Sequence, residues 1–345
     1  MSKNLSFLGI DIGGAHIKLV GLDEKQNVII VKYRKCYIWK NPQKLLQEIE
    51  FINSLSNNKK VLCGITMTAE LCDIFSTRNS GAKTIRNKCR KIKFKKLLYE
   101  KSKKVFESID RSNPINFMSM NWHATGRFIA KFLENAILID FGSTTTDFVC
   151  IKKKKIMNVG FDDFSRIQNG ELLYTGIIRT PIFGIKSSVN LNSKEFHIIP
   201  EFFSRTSDIY RVQGKIKKKF DIDEEADLSN KSVNSSYRRI ARSFGLDFSN
   251  ENKKLIHKLS EKVSKQQLSL ISKNLDKLTK KFRMSKDTPL ILAGIGQEVL
   301  KDFFKNKNTK LFQKFIKSKN ISIKTEATYH APALSIACLL NENID

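Results

Sequence analysis

GIDIGGAHIK, at Gly9 to Lys18, and IDFGSTTTDF, at Ile139 to Phe148, each bring an apolar run to an aspartate and then to glycine. β-prone residues lead in: Phe7, Leu8 and Ile10 to Asp11, and Ala136 to Ile139 to Asp140. At Gly13-Gly14 and Gly142 the missing side chain lets the backbone approach an anion closely. Such a turn offers N–H groups to a phosphate, joined in the second copy by the hydroxyls of Ser143, Thr144 and Thr145, while Asp11 and Asp140 are placed to hold a hydrated magnesium ion. One such hairpin is common in any sheet protein, whereas a matched pair calls for a shared cause.

Outward from the first turn, the pattern predicts strands at 5–12, 17–22 and 28–33, then a helix with Asn41 as N-cap and Pro42 in its first turn, then a buried strand over 60–66. From Ala136 the order restarts, with strands expected at 136–141, 146–151 and 155–160. A duplicated β-β-β-α unit with a phosphate turn in each first hairpin gives two lobes facing across a cleft. The expected division is 1–135 and 136–345. An inserted substrate-side segment spans about 161–250, and the last segment is a candidate to return to the first lobe. Apolar residues at helical spacing over 252–284 read as core packing, and they deliver the chain to a strand and glycine turn, PLILAGIG, at 289–296.

The chain has 345 residues, 41% of them hydrophobic, enough for two domain cores. No apolar run is long enough for a membrane span, and the start lacks the regions of a signal peptide, so the cytoplasm is expected. Six cysteines without CxxC spacing suggest core residues kept as reduced thiols rather than a zinc or redox site. A net charge of +28 invites a nucleic-acid reading, but the lysines are spread along the chain without the arginine and aromatic alternation of a reading surface. An anionic small substrate gains from the same field.

DIGG (Asp11 to Gly14), DFGSTTTD (Asp140 to Asp147) and AGIG (Ala293 to Gly296), in this order, resemble the two phosphate loops and the adenosine loop of the actin, sugar-kinase and Hsp70 superfold. Within it the chain resembles the hydantoinase A and oxoprolinase-like branch, and there a small family tied to tetrahydromethanopterin-linked one-carbon metabolism and methanofuran biosynthesis. TMTAELCDIF with Arg78 and Gly81, NWHAT at 121–125, GELLYTGIIRTP at 170–181, EFFSRTSDIYR at 201–211, RRIARSFGLD at 238–247 and HAPALSIA at 330–337 carry that likeness, which covers almost the whole chain.

The resemblance implies an α/β fold of duplicated ribonuclease-H-like lobes around a phosphate cleft, and an aryl ether-forming reaction. A furanylmethyl diphosphate gives up pyrophosphate to the phenol of tyramine, tyrosine or a glutamyl derivative. It implies phosphate contacts at Gly13, Gly14, Ala15, His16, Lys18, Gly142, Ser143, Thr144, Thr145, Gly294 and Gly296, with Mg2+ held by Asp11 and Asp140 and ATP not required. Glu70 is a candidate to take the phenolic proton or to order the metal's water shell. Asp147 is a second catalytic candidate, or an acceptor for the turn hydroxyls. Thr66, Thr68 and Glu70 end a strand on the edge where open α/β sheets bind ligands, or serve as a helix cap and its supporting acid. Arg179 suits a carboxylate or phosphate, or a surface salt bridge. Arg205, with Asp208 and Arg211, lines the substrate side or forms a polar helix face. Thr175 lies in the GELLYTGIIRTP block on the substrate side. Trp122 stacks on an aromatic substrate or packs in the core, and His123 is read as packed. Two other classes stay open: an ATP-dependent kinase or hydantoinase-like hydrolase, and a non-catalytic nucleotide-binding partner. Nothing beyond AGIG marks an adenine pocket.

Overall fold

The computed structural model of the protein describes residues 4–58, 60–101, 105–317 and 324–341. Two mixed sheets organise it. The first is built from β1 (Phe7–Ile12), β2 (His16–Leu22), β3 (Val28–Lys35), β4 (Leu62–Met67), β5 (Lys95–Tyr99) and β6 (Phe106–Ser108), in the order β3-β2-β1-β4-β5-β6. Helices α1 (Lys44–Ser54) and α2 (Arg78–Cys89) join β3 to β4 and β4 to β5. After the short α3 (Pro114–Phe117), α4 (Asn121–Phe132) leads into the second sheet.

That sheet contains β7 (Ala136–Phe141), β8 (Thr146–Lys152), β9 (Lys155–Ile156) and, after α5 (Asp163–Gln168), β10 (Leu172–Leu173). A two-stranded ribbon of β11 (Ser188–Leu191) and β12 (Lys194–His197) follows, with α6 (Thr206–Val212), α7 (Val233–Ser243) and the long α8 (Lys253–Lys281). The chain re-enters the sheet as β13 (Leu290–Ala293), crosses through α9 (Gln297–Phe303) to β14 (Thr309–Leu311), and ends in α10 (Phe312–Lys317) and α11 (Ala331–Asn341). The order is β10-β8-β7-β13-β14, with β9 on β8.

The duplication holds down to single residues. In both sheets a hairpin is followed by a parallel strand on the other side of its first strand: β4 beside β1, and β13 beside β7. Gly13 N–H donates to His16 O at 2.9 Å, and Gly142 N–H donates to Thr145 O at the same distance. Each hairpin is therefore closed by the same four-residue turn, on the ends of strands buried on both faces.

α11 is buried along nearly its whole length and lies against β1, β2 and β4. Alanines on the helix meet glycine on the strand, because a Cβ on Gly9 would stand 2.0 Å from Ala333 O. α4, with Phe128 and Ile129 inward, packs on β8 and β9 and also touches α11. These two helices and the strands behind them form a common core with Val20, Leu138 and Val149, so the two sheets share apolar packing at the base of the cleft.

Strand ends shift by a residue or two from the sequence reading, and two boundaries differ for a visible reason. The helix after β3 begins at Lys44, because Asn41 Oδ1 accepts from Gln43 N–H and closes a turn through Pro42 before the helix starts. The strand expected to run to Gly160 stops at Ile156. There the Asn158 side chain takes the ladder positions, accepting from Cys150 N–H and donating to Phe148 O. No helix among the described residues is long and apolar enough to cross a membrane. All six cysteines are free thiols, and only Cys72 is not buried.

Candidate functional site

A cleft of about 330 Å³ opens between the two sheets. Its walls include Asp11, Gly13, Gly14, Ala15, His16, Lys18 and Thr68 from the first half, and Asp140, Gly142, Ser143, Thr144, Thr145, Asp147, Arg179 and Gly294 from the second. Both hairpin turns thus face the same space. Other residues named from sequence stand behind these walls: Thr66 is buried on β4, and Gly296 lies against the Phe141 ring. Thr175 Oγ1 accepts from Gln267 Nε2 at 2.7 Å, while its carbonyl accepts from Thr146 Oγ1, which ties the GELLYT block to the floor of β8. Arg205 is buried beside Glu225, 3.8 Å away.

The register of the two hairpins places charge at equivalent points. Asp11 pairs across the ladder with Lys18, and Asp140 pairs with Asp147. In the first hairpin the pair is opposite in charge, and Lys18 Nζ sits 2.9 Å from Asp11 Oδ2. Asp11 Oδ1 is buried without a partner. In the second, two carboxylates stand opposite one another, an arrangement that destabilises a sheet unless a cation compensates it. Arg166 Nη1, 2.8 Å from Asp147 Oδ1, compensates one of them. Asp140 has no such partner: burial, then the charges of Asp147 and Asp11, push its carboxyl up to about 7 against the pull of Lys18. Burial likewise raises Asp147, opposed by Arg166.

Close packing holds these groups. Gly294 has φ +81°, and a Cβ there would stand 2.4 Å from Asp140 Oδ1, so the third glycine turn is the wall against which Asp140 is set. Gly176 serves the second turn in the same way. A Cβ on it would lie 2.3 Å from Ser143 O, and Ile178 and Arg179 N–H both donate to that carbonyl. Arg179 is aimed into the cleft by this contact. Trp122 is buried, with the Arg166 guanidinium 4.2 Å above its ring, so it supports Arg166 rather than lining the cleft. His123 is packed, its Nδ1 2.7 Å from Tyr99 Oη.

Glu70 is buried in the middle of the short turn Ala69–Leu71 behind the wall. Ser119 Oγ donates to Glu70 Oε1 at 2.5 Å, and Ser119 itself lines the cleft. Burial raises the Glu70 carboxyl above its usual range, opposed by the Ser119 hydrogen bond and Arg78.

Sequence reading passed over several wall residues. Tyr33, from β3, is half-buried between His16, at 4.7 Å between ring centres, and His330, at 5.3 Å. Burial pushes its hydroxyl well above the usual range. Behind the wall residue His16, Asp223, from the segment after Phe220, lies 2.9 Å from His16 Nε2 and accepts from Tyr37 Oη at 3.2 Å, bridging the two halves of the chain. Trp39, Leu71 and Tyr174 add apolar and aromatic surface, and Tyr174 Oη donates to Asp163 Oδ2 at 2.6 Å. No spacing marks any of these as wall residues, although Leu71 and Tyr174 stood inside blocks already singled out.

Two duplicated lobes with matched turns across a cleft define the class: the actin, sugar-kinase and Hsp70 superfold. A nucleotide-free acetone carboxylase structure shares that fold, with a TM-score of 0.54 at 9% identity, over 97% of this chain and 70% of that one. Within the superfold, residues 63–309 match the hydantoinase/oxoprolinase family, and the chain belongs to that family. It is also similar along its length to the (4-{4-[2-(gamma-L-glutamylamino)ethyl]phenoxymethyl}furan-2-yl)methanamine synthase of Methanocaldococcus jannaschii, 27% identical over 344 residues and 99% of each chain. The synthase of the same name from Methanococcus vannielii is 26% identical over 219 residues, 63% of this chain and 96% of that protein.

Proposed function

We propose that this protein is a transferase of methanofuran-type cofactor biosynthesis, joining (5-aminomethylfuran-3-yl)methyl diphosphate to the phenol of tyramine, tyrosine or a glutamyl derivative. The observation that carries the reading is colinearity. The likeness to the archaeal synthase runs through 99% of both chains, and that relative is named for a product in which a phenoxymethyl group links a phenyl ring to a furan. In the reaction the CH2–O bond to the diphosphate breaks, an aryl ether C–O bond forms, the phenolic proton passes to a base, and pyrophosphate leaves.

The cleft is suited to each part. The turns at Gly13 to His16 and Gly142 to Thr145 offer backbone N–H groups and hydroxyls to a diphosphate, with Lys18 and Arg179 as counter-charges. The residues also fit a hydrated divalent cation: Asp140 and Asp147 form a like-charged pair, and Asp11 keeps a buried unpartnered oxygen. Among the described residues no three His, Cys, Asp or Glu side chains are arranged to ligate a metal directly, so the fit is to an ion that keeps most of its water. Bound there, Mg2+ would neutralise charge on the departing pyrophosphate. Asp140, Asp147 and Asp11 hold and orient; Arg179 steadies the leaving group; Glu70 draws off the proton. Trp39, Leu71 and Tyr174 provide the surface for the aromatic acceptor.

Purified protein with Mg2+ and the furanylmethyl diphosphate, supplied with each phenol in turn, tests this. Pyrophosphate with a new ether is the expected result. ADP formed from ATP, with no reaction of the diphosphate, sinks the proposal. Asp140→Asn lowers turnover by about 10²-fold or more.

A further inference from the structure

Ser119 is the residue of the cleft wall that pays most for its position. Its φ is +52°, a conformation costly for a side chain with a Cβ, and it is not a glycine. The neighbouring chain holds it there: Met118 forms a parallel bridge with Met67 at the end of β4, which sets Ser119 beside the turn carrying Glu70. On the far side, Gly81 of α2 packs so tightly on this turn that a Cβ would lie 2.8 Å from Glu70 O. The carboxylate is therefore clamped behind the wall, with Oε2 buried and unpartnered and Oε1 held by the Ser119 hydroxyl at 2.5 Å. Arg78 Nη2 stands 3.5 Å from both Oε1 and the Ser119 oxygen. A buried carboxylate hydrogen-bonded to the hydroxyl of a wall residue held in a strained backbone conformation is arranged for proton transfer more than for packing.

Resting on the transferase reading above, we propose that Ser119 is the catalytic residue that meets the acceptor phenol, relaying its proton to Glu70. As the phenol oxygen attacks the furanylmethyl carbon, its proton moves to Ser119 Oγ while the Ser119 proton moves to Glu70 Oε1. The C–O ether bond forms, the C–O bond to diphosphate breaks, and the proton left on Glu70 returns to water after product leaves. Glu70 acts through Ser119 and is a positioning residue in this scheme. Asn121, Tyr174 and Asp163 also line the cleft, and the Asp163 carboxylate accepts from the Tyr174 hydroxyl.

The test compares acceptors of different acidity. Tyramine, with a phenol near pH 10, must lose its proton on the enzyme, whereas a ring-nitrated tyramine is already largely ionised at the assay pH. Ser119→Ala and Ser119→Gly both remove the hydroxyl, and the glycine variant also fits the left-handed backbone. Both are expected to lose about 10²-fold or more in kcat with tyramine but less than about 10-fold with the nitrated acceptor. Equal losses on the two acceptors, or none on either, overturn the relay while leaving the transferase standing. A wild-type protein that makes no ether from tyramine, tyrosine or a glutamyl derivative of either, nitrated or not, overturns the transferase reading, and the relay with it.

Discussion

At the residue scale, the charge opposite the leading aspartate is reversed between the two hairpins: Lys18 in the first stands where Asp147 stands in the second. The first aspartate is thereby neutralised from within its own hairpin, and the second is left to face another carboxylate. The consequence is measurable as pH-dependent stability. Asp140 titrates near 7 when folded and near its ordinary 3.8 when unfolded, so between those values the folded state holds a proton that the unfolded state has lost. Stability therefore falls as pH rises through this window. Asp140→Asn removes the effect. In the presence of a chelator the variant is expected to melt together with the wild type near pH 4 and above it at pH 8, by roughly 1–2 kcal/mol after allowance for the cleft-facing edge of the carboxyl. A gap that does not widen with pH would remove Asp140 from this account.

At the element scale, turns pack on turns. The Gly142–Thr145 turn is not rigid by its own hydrogen bond alone; Gly176 brings the following loop into backbone contact with it, and that contact orients Arg179. Gly176→Ala must push Ser143 O away, with an expected cost of about 1–3 kcal/mol in stability and at least 10-fold in turnover. Gly184 is the control: its missing Cβ meets nothing within 4 Å, and Gly184→Ala is expected to behave as wild type in denaturant midpoint and in rate. Equal behaviour of the two variants would show that the loop contact does not matter. The strands and the long helix were legible because a period of two, or of about 3.6, survives in the residues themselves. α1 began late and β9 ended early because single amide side chains, Asn41 and Asn158, competed with the backbone for its hydrogen bonds.

At the scale of the whole molecule, segment 221–225 of the second half reaches across to the first. Asp223 meets His16 and Tyr37, and Glu224 meets Lys40 at 3.2 Å. A buried set of ions fixes the base of this strap, with Arg211 contacting Asp208, Asp221 and Glu225, and Arg239 contacting Asp208. Burial alone would raise the Asp223 carboxyl, but the His16 contact and the charges of Arg179 and Arg205 hold it down to about 2. Its contribution to stability is then complete above pH 4 and lost only as pH falls through about 2. At neutral pH Asp223→Ala is expected to open the strap, lowering stability by about 1–3 kcal/mol and exposing 221–231 to limited proteolysis several times faster than in wild type. An unchanged cleavage rate would mean that the strap is held by its base and not by the bridge.

The sequence by itself determined the duplicated turns, the strands that carry them and the family, because these are local patterns: an aspartate, glycines and hydroxyls in fixed spacing at the end of an apolar run. Residue by residue it also put most of the cleft wall on the right turns. What only the tertiary structure decided is which side chains share the space between those turns. Glu70 lies behind the wall with Ser119 in front of it, Trp122 supports Arg166, and Tyr33, Tyr174 and His330 enter from three separate stretches of chain. Their meeting depends on long-range packing of helices on two sheets, and no spacing within one segment encodes it.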